Sequence, residues 1–293
     1  MADAPLPGPY PGVAPGPQWL AAGLWLSSGR TAVVEGPEVL AVIDPGDEPV
    51  GSTGRPLGAL SETLKLARQA GKAVAYIVCT HGHGDHITNL GVFREAFPRA
   101  AVVAHPAGPC APDRPVKRDC GLPGLGEARV IPVPGHSPWG DDLALHVPGA
   151  GALLSGDLVQ PKGDTWEQAF YPSPYPCFVD GGTYCASLTR LLKLEFTILL
   201  TGHREVRRGA AARGWVELTL EAIRRVEGAV KAWPDGELAA AAPRIWQALA
   251  DARGISRRVQ SARLARRGGP SAFERFDRTG IDYYWQLLRK DPC

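Results

Sequence analysis

Residues 79–91 read CTHGHGDHITNLG, directly after the apolar run AVAYIV at 73–78. His81, His83, Asp85 and His86 fall within six positions of one another. A strand feeding a turn can aim such side chains at one point, and Gly82 and Gly84 permit the tight backbone this needs. Imidazole and carboxylate together suit zinc and other borderline divalent ions. The segment Ile87–Ala96 then reads as a helix that ends before Pro98. The cluster is therefore expected at a strand-to-helix turn.

Three more candidates repeat one local pattern. His136 lies in VPGHSPWGD, Asp157 in LLSGDLV and His203 in LLTGHRE, each after an apolar run and each preceded by Gly. Strands that deliver side chains past a glycine to one sheet edge make a rigid site. Of the seven histidines, five lie in these motifs. The other two, His105 and His146, read as structural. Asp44 ends another strand, in VIDPG.

The first two thirds of the chain is a series of short Val/Ile/Leu-rich runs ending in Gly, Pro, Asp or His, which reads as strands. Leu60–Gln69 interrupts them as a helix, stopped by Gly71. From Ala210 the pattern turns helical: Trp215–Trp233, Leu238–Ala252, Arg257–Arg267 and Ile281–Leu288. Sheets covered by helices follow from this order. The expected division is a Pro/Gly-rich arm at 1–18, a catalytic domain at 19–209 and a helical extension at 210–293.

The order HxHxDH, His, Asp, His over roughly residues 20–205 resembles the metallo-β-lactamase superfamily. The resemblance implies an α/β fold, an αββα sandwich, here with a C-terminal helical extension. It implies two divalent metal ions, zinc first, with iron or manganese as alternatives. His81, His83 and His136 would hold one metal. Asp85, His86 and His203 would hold the other, and Asp157 would bridge them. Asp44 matches a family position that supports a ligand histidine, where a carboxylate fixes the imidazole tautomer. Position 157 is Asp, whereas two of the true β-lactamase subclasses have Cys. The pKa of a water shared by two such metals falls towards ~7. Asp85 would orient the resulting hydroxide and pass its proton onward.

The expected activity is hydrolysis of a thioester, lactone or other ester on a small molecule. Three alternatives stand beside it: a phosphodiesterase or ribonuclease of the same fold, a mononuclear iron persulfide dioxygenase, and a non-catalytic metal-stabilised binding protein. No phosphate-cradling GxxxxGK[ST] motif is present.

The irregular stretch QPKGDTWEQAFYPSPYPCFVDGG holds five aromatics between 166 and 178. Trp166, Tyr171 and Tyr175 are candidate substrate-pocket residues, and a satellite core is the competing reading.

Composition bounds the rest. The chain has 293 residues, 44% apolar and 21% charged, which excludes wholesale disorder. No run nears the ~18 apolar residues of a membrane-spanning helix. The start, MADAPLPGPYPGVAPGPQ, has neither the basic nor the apolar region of a secretory signal, so a cytoplasmic location is expected. Six scattered cysteines suggest reduced thiols, with a Cys110–Cys120 bond left open. The net charge of +2 is uneven: residues 204–293 carry 18 basic and 11 acidic groups. A basic tail can meet nucleic acid, but a solvated arginine-rich helix face is the favoured reading. The apolar Trp285 and Leu288 need a covering surface, either in cis or in a homodimer.

Overall fold

Val, Ile and Leu runs that are apolar on both faces make strands covered from both sides. In the computed structural model these runs form two sheets, of seven and six strands. The structure describes residues 17–46, 58–161, 173–234, 236–265, 271 and 273–289. Residues 1–16 of the expected arm, Trp166, Tyr171, Arg266 and Arg267 lie outside the described residues. Contacts divide the chain into two compact units, Met1–Pro132 with Leu143–Ala152, and Val133–Asp142 with Leu153–Cys293.

The first unit contains β1 (Gln18–Ala21), β2 (Leu24–Leu26), β3 (Ala32–Glu35), β4 (Val39–Ile43), α1 (Gly58–Ala70), β5 (Ala73–Val78), α2 (Gly84–Ile87), α3 (Leu90–Ala96), β6 (Ala101–Ala104) and β7 (Arg114–Pro115). Its sheet runs β1 to β7 in sequence order, antiparallel as far as β4 and parallel beyond it. Val42 stands beside Ile77, and Ile77 beside Val102. Val33, Leu40, Val42, Val74, Ile77 and Phe93 form the core on one face, with Leu60 and Leu66 of α1 packed on it. Parallel pairing brings the carboxyl ends of β4 and β5 to the same edge, where ligand sites of parallel sheets form. The segment read as one helix at 87–96 is two. Asn89 gives its N–H to the Pro45 carbonyl and not to the helix, which breaks the run between α2 and α3.

The same unit holds an antiparallel meander of β8 (Cys120–Gly121), β9 (Arg129–Pro132) and β10 (Leu143–Val147). Cys110 and Cys120 are not joined in a disulfide, so the bond left open between them is not formed.

The second unit contains β11 (Ala152–Leu154) from Leu153 onward, α4 (Gly181–Leu191), β12 (Ile198–Leu200), β13 (Val206–Arg208), α5 (Ala210–Ala232), α6 (Leu238–Ala252), α7 (Arg257–Leu264) and α8 (Arg278–Leu288). β12 and β13 form a hairpin. On α5, Trp215, Val216, Thr219, Leu220, Ile223, Val226 and Val230 are buried, a helical three-to-four spacing that marks the covered face. α8 packs on α4, α5 and α6. Trp285 is therefore buried in cis, with the Arg289 guanidinium 4.2 Å from its ring, while Leu288 stays exposed.

The structure also corrects the reading of Tyr175. It is 1% exposed, its hydroxyl donates to the Asp277 carbonyl, and its ring meets Phe178 edge-on. Phe178 in turn touches Tyr184 and Tyr284. The described aromatics of the irregular stretch are thus a satellite core that anchors α8, because their partners lie about a hundred residues further on. In α7, Arg257 is exposed and paired with Asp251 at 2.6 Å. No described helix is long and apolar enough to cross a membrane.

Candidate metal centre

In the first unit the histidine cluster starts where β5 ends and runs into α2. His81 Nε2 lies 3.0 Å from His83 Nδ1, and the His81 and His86 rings are 4.2 Å apart between centroids. His86 Nε2 is 3.8 Å from Asp85 Oδ2. His81 and His86 are buried, while His83 and Asp85 are half-buried. The four sequence-predicted side chains of this stretch therefore share one small volume.

Asp44 organises them from the end of β4. It accepts from the Thr80 N–H at 2.7 Å, from the Thr80 hydroxyl at 2.7 Å and from His86 Nδ1 at 3.0 Å. The Thr80 oxygen then accepts from His81 Nδ1 at 3.1 Å. Both imidazoles are held by Nδ1 and present Nε2, the arrangement that carboxylate support gives to metal-binding histidines. Asp44 adopts φ +48°, an uncommon left-handed conformation for this residue type. The turn beyond it rests on α2: Asn89 donates its side-chain N–H to the Gly46 carbonyl, and a Cβ at Gly46 would lie 2.0 Å from the Asp85 carbonyl oxygen.

In the second unit three residues meet at one oxygen. His203 Nε2 is 2.8 Å and His136 Nε2 is 3.7 Å from Asp157 Oδ2, and all three residues are buried. Asp157 sits in a single helical turn at Gly156–Leu158, after β11. His203 follows β12 in a tight loop where Arg204 has φ +68°. His136 Nδ1 bonds the Cys177 carbonyl at 3.2 Å, which again leaves Nε2 facing the carboxylate.

Sequence reading missed three supports. Asp142 accepts from the backbone N–H groups of Gly135, His136 and Ser137 at 3.0–3.1 Å and so fixes the His136 loop. Tyr184 donates to the Leu158 carbonyl at 2.6 Å and holds the Asp157 turn. Burial, and then the Asp142 and Asp157 charges, push its hydroxyl well above the usual tyrosine range, so it remains a donor. Arg30 pairs with Asp85 Oδ2 at 2.8 Å. The first two lie in or beside quoted motifs, but only the folded backbone shows what they bind. Arg30 carries no sequence signal.

The donor set fits a divalent cation. Every partner described for the imidazoles orients a nitrogen towards a neighbouring ligand atom, and buried carboxylates supply the charge. Among the described residues, these His and Asp side chains form the groups able to hold a metal ion.

A model of the metallo-beta-lactamase superfamily matches residues 25–203. The chain belongs to the metallo-β-lactamase superfamily. Metallo-beta-lactamase domain-containing protein 1 of Xenopus laevis is 29% identical over 157 residues, 49% of this superfamily member and 60% of that protein. Protein YobT of Bacillus subtilis is 26% identical over 149 residues, 41% of this chain and 62% of its own length. The chain thus spans about three fifths of these curated relatives. The metallo-β-lactamase FIM-1 from Pseudomonas aeruginosa, solved in a mono-zinc form, superimposes with a TM-score of 0.52 at 15% identity, over 72% of this chain and 96% of its own. At that identity the likeness shows the shared fold alone.

Proposed function

We propose that this superfamily member is a metal-dependent hydrolase that cleaves a thioester, lactone or other ester in a small molecule. The observation that carries it is the meeting of His203 and His136 on one oxygen of buried Asp157. A buried carboxylate offered to two imidazoles is the donor set of a cation, and Asp at this position suits two metals. By family resemblance, His81, His83 and His136 would hold one metal and Asp85, His86 and His203 the other, with Asp157 serving both. Zinc is the first choice of metal for both.

Divalent metals bound there supply Lewis acidity and an ionised water near neutral pH. The chain's own residues do the rest. Asp44 and Thr80 lock the tautomers of His86 and His81. Asp142 and Tyr184 hold the His136 loop and the Asp157 turn. Asp85 is the carboxylate placed to accept and pass on a proton.

The test is elemental mass spectrometry on protein purified without added metal, followed by a screen of thioesters, lactones and phosphodiesters. About two zinc per chain with ester turnover is expected. Phosphodiester turnover alone would replace the substrate class, and no metal uptake on titration would end the hydrolytic reading.

A further inference from the structure

Arg30 is a costly residue to bury. It is 7% exposed, in the turn between β2 and β3 that the Ser27 N–H to Thr31 carbonyl bond closes. Its one ion pair among the described residues is to Asp85, at 2.8 Å. Its Nε and one terminal nitrogen have no hydrogen-bond partner among the described residues. A buried pair stabilises a protein only when the remaining donors are satisfied, and among the described residues two nitrogens have no acceptor. The guanidinium is thus poorly explained as a stabilising element. What it does to Asp85 is the better explanation.

A guanidinium on a carboxylate opposes any cation that binds the same carboxylate, because at such distances in a partly dry site Coulomb repulsion is strong. His81 and His83, by contrast, are joined in the structure to each other and, through His81, to the neutral Thr80 hydroxyl. Asp44 is engaged by Thr80 and His86 together.

We propose that Arg30 is a positioning and charge-regulating residue for Asp85. It weakens divalent-cation binding at the Asp85–His86 half of the centre, so that this position loads after the one built on His81 and His83. The inference rests on the two-metal reading of the proposed function. It makes the second metal the exchangeable one.

The experiment is zinc titration of the full chain against competing chelators, with metal per chain read at each step. Wild type is expected to load in two separated steps. Arg30→Gln keeps a donor for Asp85 but removes the charge, and should tighten the second step about tenfold or more with the first unchanged. Arg30→Lys keeps the charge and should leave the second step close to wild type. A second step in Arg30→Gln that is unchanged or weaker overturns the proposal, as does a single two-metal step in wild type. If Arg30→Gln loses the first step as well, it has misfolded. Arg30→Lys then decides: a weakened second step beside an intact first would show that guanidinium geometry, not charge, matters. Wild type that takes up no zinc would instead overturn the functional reading.

Discussion

The Asp44 carboxylate accepts three hydrogen bonds at the point where β4 meets the histidine cluster, and two of them lead to the imidazoles of His86 and, through the Thr80 hydroxyl, His81. Its replacement by Ala removes the groups that fix the tautomers of His81 and His86. Metal affinity should fall about 10–100-fold, measurable by chelator competition. Asp142 plays a different part. It satisfies three backbone N–H groups in a buried loop, and Asp142→Ala leaves them without that acceptor. At about 1–3 kcal/mol for each unsatisfied buried group, a loss of roughly 3 kcal/mol or more is expected in urea unfolding. A loss below about 1 kcal/mol would show that water replaces the carboxylate there. The two residues also differ in legibility. Asp44 could be found because the VIDPG motif resembles a family pattern. Asp142 could not, because its partners are peptide N–H groups, which every sequence contains. Arg30 lies fifty-five positions from Asp85, so only the fold joins them.

At the scale of elements, α2, which carries Asp85 and His86, is only four residues long and cannot hold itself in place. The turn after β4 supports it, with Gly46 in direct contact. Gly46→Ala would put a Cβ 2.0 Å from the Asp85 carbonyl oxygen and 2.8 Å from the His86 Cα, both backbone atoms. Either the turn or α2 must shift. Stability should drop by about 1–3 kcal/mol, and metal binding should weaken with it. A variant that loses stability but binds metal normally would show that the turn moves and α2 does not. The N-terminus of α4 offers a pH test. Burial raises the Asp180 carboxyl, but acceptance from the Thr183 N–H and hydroxyl outweighs it, and the pKa is lowered overall. A lowered folded pKa means stability that is present above the unfolded value and lost as pH falls through the folded one. Asp180→Ala should therefore cost about 1 kcal/mol at neutral pH, and the gap to wild type should narrow in acid. Elements of this kind were readable where periodicity is strong. Leu238–Ala252 holds to its expected bounds even with Pro243 inside it. Periodicity failed at 87–96, where a tertiary bond from Asn89 splits the helix, and the aromatic-rich stretch could not place Tyr175, whose partners lie far along the chain.

For the whole molecule, the candidate ligands are divided: His81, His83, Asp85 and His86 belong to one compact unit, and His136, Asp157 and His203 to the other. If both sets serve the same metals, as the proposed function requires, metal binding is linked to the folding of both. A ligand bound only by the native chain at a hundred times its Kd adds about 2.7 kcal/mol. Calorimetry should then show a melting temperature about 5–10 °C lower after chelation, and recovered when zinc is returned. Should the melt resolve into two transitions, both are expected to move, since neither set alone would complete the coordination. Movement of only one would confine the metal to a single set of ligands and remove the basis for the bridging role of Asp157. A melt unaffected by chelation or zinc would mean that the buried His and Asp groups are held by each other, and that the fold does not depend on a metal.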